Sequence, residues 1–405
     1  MKTISFLICI ISSTLFAQNE GIKINKLKSG DWTAHLYLTK NDTLPFKLKI
    51  LTKGKLQFII YNSEEQIVLK NIVVNRDSII ASFSEYNSKL VFKVGEKELN
   101  GYWMNNNKKN YKIPFHAHYG YSTRFKKNTS VSPENCNGKW KIIFDPTLQS
   151  EYISLGYFKQ KNESINGTFL TETGDFRYLE GNQFGTEFQM SSFDGSHAYL
   201  FKAVVKNDSI FGRFQSGNHF EGTWIGNKDE NFELTDPYFI TKSTSSLPIS
   251  FKAKKETGEF FIFPSEKYLN KVTIVQIMGT WCPNCLDETR FYKELYDRYH
   301  SKGLEIIAVG FEVGENDSIS FSKLEKFKKR NNVNFEFILG GTASKKAASN
   351  IFPTLDGIKS FPTSIYVGKD GTIQKIHTGF NGPATGIFYE KYVEETNAFI
   401  EKLLK

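Results

Sequence analysis

The sequence predicts a multidomain chain: an N-terminal all-β region of two related antiparallel repeats, as sandwiches or open barrels, followed by a C-terminal α/β domain. Three observations predict it. Between residues 18 and 240, short stretches alternate apolar and polar side chains and are bounded by Gly, Asn, Asp and Ser, with almost no helical period. Three short motifs recur in that region in the same order. Beyond residue 248, continuous apolar runs alternate with amphipathic ones, the pattern of buried strands covered by helices. With 405 residues, 40% of them hydrophobic and 15% aromatic, the chain has material for two or three packed cores and is not a disordered polymer.

The first element is a segment for removal. Lys2, the apolar run 4–11 and Leu15-Phe16-Ala17 ahead of Gln18 read as a cleavable export signal over 1–17. The run is too short to span a bilayer as a helix. Too few residues precede Cys9 for it to be a lipid-anchor cysteine, and it leaves with the signal. No other run approaches membrane-spanning length, so the expected location is the periplasm or cell envelope, with no membrane span in the mature chain. The formal charge is +9, but the lysines are scattered among Asp and Glu. Lys126-Lys127 and Lys328-Lys329-Arg330 are too short for a nucleic-acid footprint.

Repeat 1 is placed at 18–130 and repeat 2 at 136–240. Asp31-Trp32 matches Lys139-Trp140, each after a Gly. Asn75-Arg76-Asp77-Ser78-Ile79 matches Lys206-Asn207-Asp208-Ser209-Ile210. Leu99-Asn100-Gly101-Tyr102-Trp103 matches Phe220-Glu221-Gly222-Thr223-Trp224. Shared order with drifting spacing suggests duplication with loop changes, not a solenoid. Strands are expected at 33–38, 46–51 and 56–61, and at 153–158, 167–170, 198–205 and 209–214. The join lies near 129–138, where Ser, Pro and Asn cluster. Cys136 sits there without a partner in sequence, either a buried free thiol or half of a bridge between chains. His116 and His118 alternate on an expected strand and share a face, but two ligands are too few for a metal site. The small polar residues of 241–248 read as a linker.

The C-terminal domain, 249–405, is expected to run β-α-β-α-β-β-α. Its strands are 272–278, 304–311, 335–339, 363–367 and 373–377; its helices are 283–301, 320–331 and 388–404. Lys369-Asp370-Gly371 turns the last two strands into a hairpin. Cys282 and Cys285 follow the first buried strand and open its helix. A helix start presents free N–H groups and the positive end of the dipole, which favour a thiolate. Pro283 suits the first turn because it has no N–H to leave unbonded. The spacing puts Cys285 one turn on, able to resolve a mixed disulfide formed by Cys282. Half of a zinc site and an inert structural disulfide compete with this reading. Structural zinc usually takes four ligands and no second cysteine pair exists; the strand–turn–helix context favours redox chemistry over both.

Residues from about 249 to 404 resemble the thioredoxin superfamily, and within it the TlpA/ResA-like exported thiol–disulfide oxidoreductases. The resemblance rests on Gly279-Thr280-Trp281-Cys282-Pro283-Asn284-Cys285, then Glu288, Ser360-Phe361-Pro362-Thr363 and Gly368-Lys369-Asp370-Gly371. It implies a thioredoxin-like fold in which Pro362 is cis and faces the cysteines. Trp281, Pro283, Phe361 and Thr363 would line the substrate groove. Glu288 would relay a proton to or from Cys285, and its alternative is a solvated helix glutamate. Likewise Pro362 could be an ordinary turn proline and Trp281 a core aromatic. Many thioredoxins carry a buried aspartate six residues before the first cysteine; here Gln276 stands there and cannot titrate, which puts weight on Glu288.

The resemblance further implies a protein-disulfide reductase or isomerase with no cofactor beyond a redox-active Cys282–Cys285 disulfide and no metal. Its partners would be disulfide-bearing exported proteins, such as apocytochrome c, and a membrane donor of thiol electrons. Two other classes stay open. A peroxiredoxin-like peroxidase fits poorly, because Gly279-Thr280-Trp281 does not match that family's approach to its cysteine. An envelope binding protein in which the β-repeats do the main work is the other. The stretch 340–357 reads as a substrate-facing insertion, and the Gly-rich 379–386 as a loop near the active-site face.

Overall fold

The computed structural model describes residues 27–75, 78–121, 123–127, 131–314 and 316–405. The export signal expected over 1–17, and Arg76-Asp77 of the second repeated motif, lie outside the described residues. The chain divides into two compact units. One contains most of the first β-sheet. The other contains the second sheet and the α/β domain.

The first sheet has nine strands: β1 (Gly30–Tyr37), β2 (Thr43–Leu51), β3 (Gln57–Asn62), β4 (Glu65–Leu69), β5 (Asn71–Asn75), β6 (Ser78–Ser82), β7 (Ser88–Val94), β8 (Glu98–Asn105) and β9 (Lys112–Tyr119). Their order is β4-β3-β2-β1-β9-β8-β7-β6-β5, an open meander in which the first and last strands pair at the centre. The two-residue side-chain period sorts the faces. Trp32, Ala34 and Leu36 of β1, with Phe115 and Ala117 of β9, are buried, while His35, His116 and His118 point the other way.

The second sheet comprises β10 (Gly138–Phe144), β11 (Tyr152–Lys161), β12 (Ser164–Thr171), β13 (Gly174–Asp175), β14 (Leu179–Phe184), β15 (Glu187–Phe193), β16 (Ala198–Lys206), β17 (Ser209–Ser216) and β18 (Phe220–Lys228). β18 pairs with β10, and β11 pairs with both β10 and β12. The eight long strands therefore close into an up-and-down barrel with no free edge, where a sandwich or an open barrel was expected. β11 closes the ring by pairing with β10 on one side and β12 on the other. The barrel interior is aromatic: Phe144, Phe158, Phe169, Phe188, Phe201 and two tryptophans pack in one cluster.

The relation between the repeats is partly visible. Trp32 Nε1 donates to the Lys28 carbonyl at 3.1 Å, and Trp140 Nε1 donates to the Cys136 carbonyl at 3.0 Å. Each tryptophan thus locks the chain four residues upstream of it. The later matches do not occupy equivalent strands. Trp103, in β8, lies two strands beyond the strand that Ser78 opens, whereas Trp224, in β18, lies one strand beyond the strand that Ser209 opens. Cys136 is fully buried, and burial pushes its thiol up to about 12. Its sulfur approaches Gln183 Oε1 at 3.4 Å, so it is a free thiol in the barrel core and not placed for a bridge between chains.

The α/β domain is built from β19 (Phe251–Lys254), β20 (Phe260–Phe263), β21 (Val272–Met278), α1 (Pro283–Tyr299), β22 (Leu304–Glu312), α2 (Asp317–Arg330), β23 (Glu336–Thr342), α3 (Lys345–Ile351), β24 (Thr363–Val367), β25 (Ile373–Thr378) and α4 (Ile387–Leu404). The sheet order is β20-β19-β23-β22-β21-β24-β25. β21, β22 and β23 are parallel, and β24 runs against β21. Every residue of β21 and β22 is buried, as their largely apolar runs lead one to expect of strands covered on both faces. Sequence periodicity missed the β19–β20 hairpin and α3, both too short to show a clear period. The stretch 340–357 is corrected by this: α3 packs Ala348 and the following Phe352 against Phe251 in the core on one side of the sheet. The cysteine pair belongs to the core on the other side. Residues 241–248 are likewise no loose tether. Thr244 N–H donates to the Thr354 carbonyl at 2.8 Å, Asp356 N–H to the Lys242 carbonyl at 3.0 Å, and Thr378 Oγ1 to Thr241 Oγ1 at 2.7 Å.

Candidate active site

The parallel strand β21 ends at Met278, and the chain turns through Gly279-Thr280-Trp281 into α1. Cys282 is the N-cap of that helix. Its sulfur accepts the Cys285 amide at 3.2 Å, the bond that a Ser or Asp makes at an ordinary N-cap. The helix start therefore brings both cysteines together, and both are thiols. Cys282 is 7% exposed and Cys285 fully buried, so an incoming disulfide can meet only the Cys282 sulfur. That sulfur also lies 3.6 Å from the Phe361 carbonyl. Burial raises the Cys285 thiol well above its ordinary value, and contact with Cys282 and the nearby Glu288 raise it further.

Glu288 is fully buried one turn beyond Cys285, not a solvated helix glutamate. Gln276 Nε2 donates to its Oε2 at 2.9 Å; Ser364 Oγ and the Tyr292 hydroxyl donate to Oε1 at 3.0 and 3.2 Å. Burial drives its carboxyl up to about 8, and these three donors hold it from rising further. Tyr292 also joins Tyr366 and Tyr392 in a triangle of hydroxyls 3.1–3.3 Å apart, a buried polar network leading away from the carboxyl. Gln276 serves as a donor here, which an ionised carboxylate could not do.

The remaining predicted positions fall as follows. Trp281 is half-buried; its Nε1 donates to the Phe311 carbonyl at 2.8 Å, and its ring stands edge-on to Phe361 at 5.6 Å. The Phe361–Pro362 bond is cis, and Phe361 stays partly open. Thr363 does not face the groove. It is fully buried, its hydroxyl donates to the Ser360 carbonyl at 2.9 Å, and its backbone registers against both Ile277 and Thr378. Pro283 is also corrected: it is buried, and its carbonyl accepts from Arg177 Nη1 at 3.4 Å.

Arg177 belongs to the barrel, and it introduces what sequence reasoning missed. The turn between β12 and β14 reaches three segments of the site. Arg177 pairs with Asp287 of α1. Ser360 Oγ donates to the Thr173 carbonyl at 3.1 Å, and Gly382 N–H to Asp175 Oδ2 at 2.6 Å. Asn284 Nδ2 bridges the carbonyls of Asp175 and Phe380 at 3.4 and 3.3 Å. Gly379 has φ +77°, and a Cβ there would come within 2.7 Å of the Thr173 backbone, so the 379–386 loop needs glycine where the barrel turn crosses it. Beside Asn284, a cavity of about 670 Å³ is lined by Tyr152, Asp175, Phe176 and Tyr199. No motif flagged Arg177 or Asp175. Glu312 was also missed: it is buried at the end of β22, accepts from the Thr280 amide and hydroxyl at 2.7 and 2.6 Å, and is pushed by burial up to about 7. An acid directly after the apolar run 306–311 is a signal that the sequence does carry.

Residues 250–389 match the Redoxin family. The thiol–disulfide oxidoreductase ResA of Geobacillus thermodenitrificans is 31% identical over 112 residues, which are 28% of this chain and 57% of that protein. ResA of Bacillus thuringiensis subsp. konkukian is 27% identical over 172 residues, 42% of this chain and 81% of that protein. Among solved structures, StoA from Bacillus subtilis is 25% identical at a TM-score of 0.27, with 38% of this chain and 99% of that one covered. A thiol–disulfide oxidoreductase from Bacteroides fragilis is 18% identical at 0.27, covering 37% and 99%. The chain spans little more than half the length of the Geobacillus relative. Residues 250–389 thus match the Redoxin family, and the C-terminal part of the chain, with its cysteine-capped helix, is similar to the ResA thiol–disulfide oxidoreductases.

Proposed function

We propose that this chain is an exported thiol–disulfide oxidoreductase that reduces or isomerises disulfides of other exported proteins. One observation carries the reading: an accessible sulfur at a helix start, hydrogen-bonded by the amide of a second, buried cysteine that has a buried carboxyl behind it.

The Cys282 thiolate attacks one sulfur of the substrate disulfide. A Cys282–substrate bond forms, the substrate S–S bond breaks, and the first substrate thiolate leaves and takes up a proton. Cys285 then gives its proton to Glu288 and attacks the Cys282 sulfur. The mixed disulfide breaks, the second substrate thiol is released, and Cys282 and Cys285 end as a disulfide. Two electrons have passed to the substrate. A thiol donor at the membrane restores the dithiol, and no cofactor is needed. Glu288 suits this step because burial raises its carboxyl to about 8, so the ionised form, the minority at neutral pH, is a strong enough base to take the Cys285 proton. Trp281, Phe361 and the backbone at cis Pro362 face the incoming polypeptide. The barrel turn at 173–177 forms a wall of the same site, which supports substrate selection by the second repeat over a separate binding role for it.

Reduction of insulin disulfides by excess dithiothreitol tests the reading. The wild-type chain accelerates insulin precipitation and Cys282→Ser does not. A Cys282→Ser chain with undiminished turnover, or a wild type that consumes hydroperoxide and leaves insulin intact, rejects it.

A further inference from the structure

We propose that His35, His116 and His118 form a binding site for a borderline divalent transition-metal ion, with Zn²⁺ as the probe, on the outer face of the first sheet. β1 and β9 are antiparallel neighbours, with His35 opposite His116 and Thr33 opposite His118. His116 and His118 are two residues apart on one strand, so they share a face. The register brings His35 to that face from the next strand. The three rings form a nearly even triangle, with centroids 6.5, 5.8 and 6.2 Å apart. One ring nitrogen from each lies within 4.8 Å of the other two.

That geometry is close to a three-histidine metal site with an open position. Zn–N bonds of about 2.0–2.1 Å in a tetrahedron put the nitrogens about 3.4 Å apart. The rings must draw together by roughly an ångström, which side-chain rotation allows. His118 is exposed and the other two are half-buried, so an ion can enter from solvent. Glu98 of β8 stands opposite His118, and its carboxylate is 4.0 Å from His116 Nε2. It can fill the fourth position or accept a hydrogen bond from a water there. Three neutral imidazoles with one carboxylate suit Zn²⁺ or Cu²⁺ and not Mg²⁺ or Ca²⁺, which take oxygen ligands. The backbone positions are held by a paired sheet, so little ordering is required on binding. The sequence showed only two of the ligands; the third arrives through strand register.

The test uses the full chain, produced without a histidine tag and carrying Cys282→Ser and Cys285→Ser so that the dithiol takes no metal. After chelator treatment, Zn²⁺ is titrated by calorimetry and Co²⁺ by visible absorption. One Zn²⁺ per chain and an intense four-coordinate Co²⁺ spectrum are expected. His116→Ala weakens Zn²⁺ binding by at least about 100-fold, beyond the ~10–100-fold of an outer-shell change. His118→Gln, at an exposed position that leaves folding intact, does the same. Uptake of less than one Zn²⁺ by the parent chain, or a His118→Gln chain that binds as tightly as the parent, overturns the proposal.

Discussion

Replacing Glu288 by Gln tests the proton-transfer step. Burial moves this carboxyl from 4.5 to about 8, so about one copy in ten is ionised at pH 7 and half at pH 8. Cys285 is buried with its thiol raised and needs an acceptor for its proton before it can resolve the mixed disulfide. Glutamine keeps the volume and still accepts from Ser364 and Tyr292, while Gln276 can turn its amide to suit, since the Thr289 hydroxyl that donates to its Oε1 is also able to accept. The fold is therefore retained and the base is lost. General-base catalysis contributes ~10²–10⁴-fold, so decay of a preformed Cys282 mixed disulfide should slow by about 10²-fold or more at pH 8. The wild-type rate of that step should rise between pH 6.5 and 8.5, and the variant should lack that rise. Stability carries a second signature. The folded-state value lies above the unfolded one, so the native protein holds the extra proton between about pH 4.5 and 8. Stability is full below that window and falls as pH climbs through it, by about 1.4 kcal/mol per pH unit from this group. Glu288→Gln removes that slope in urea unfolding measured from pH 5 to 9. Wild-type resolution rates with an unchanged pH profile in the variant would refute the assignment.

Three further outcomes follow from the same geometry. Iodoacetamide applied to the native reduced protein at pH 8 should label Cys282 alone, with Cys136 and Cys285 labelled only after denaturation; peptide mass mapping reads this directly. Arg177→Ala takes from the buried Asp287 its closer cation, leaving the half-exposed Arg290 at 3.5 Å, and removes the same guanidinium from Glu65 and Asp194; loss of one partner of a buried pair costs about 3–5 kcal/mol. Urea unfolding should show that loss, and the KM for insulin should rise as the barrel turn comes away from the Pro283 carbonyl. Glu312→Ala deprives the Thr280 amide of its acceptor, for a loss of about 1–3 kcal/mol, while Glu312→Gln should restore most of it.

The α/β domain was legible wherever a long period or a motif existed. The runs at 272–278 and 304–311 could only be strands buried on both faces, and the cysteines between a strand and a helix marked the site. The short β19–β20 hairpin and seven-residue α3 were not legible, because fewer than two turns or four alternations carry no usable period. Within the site, the sequence could offer Glu288 as a candidate, but its burial depends on Gln276 and Ser364, which arrive from β21 and β24, as well as on Tyr292 one turn on in its own helix. Pro283 and Thr363 were placed in the groove by the family resemblance. Arg177 covers the first and sheet pairing absorbs the second. Arg177 itself lies more than a hundred residues from Asp287, in a region whose pattern announced only strands. The third histidine was hidden for the same reason: only the pairing of the chain's first described strand with β9 reveals it.

The central claim is that Cys282 attacks and Cys285 resolves. It is tested most directly with the Cys285→Ser chain, incubated with a disulfide-bonded protein and analysed by intact-mass and peptide mass spectrometry. One stable covalent adduct per chain is expected, joined through Cys282 and released by dithiothreitol. An adduct through Cys136, or no adduct while the variant still turns over insulin, would contradict it.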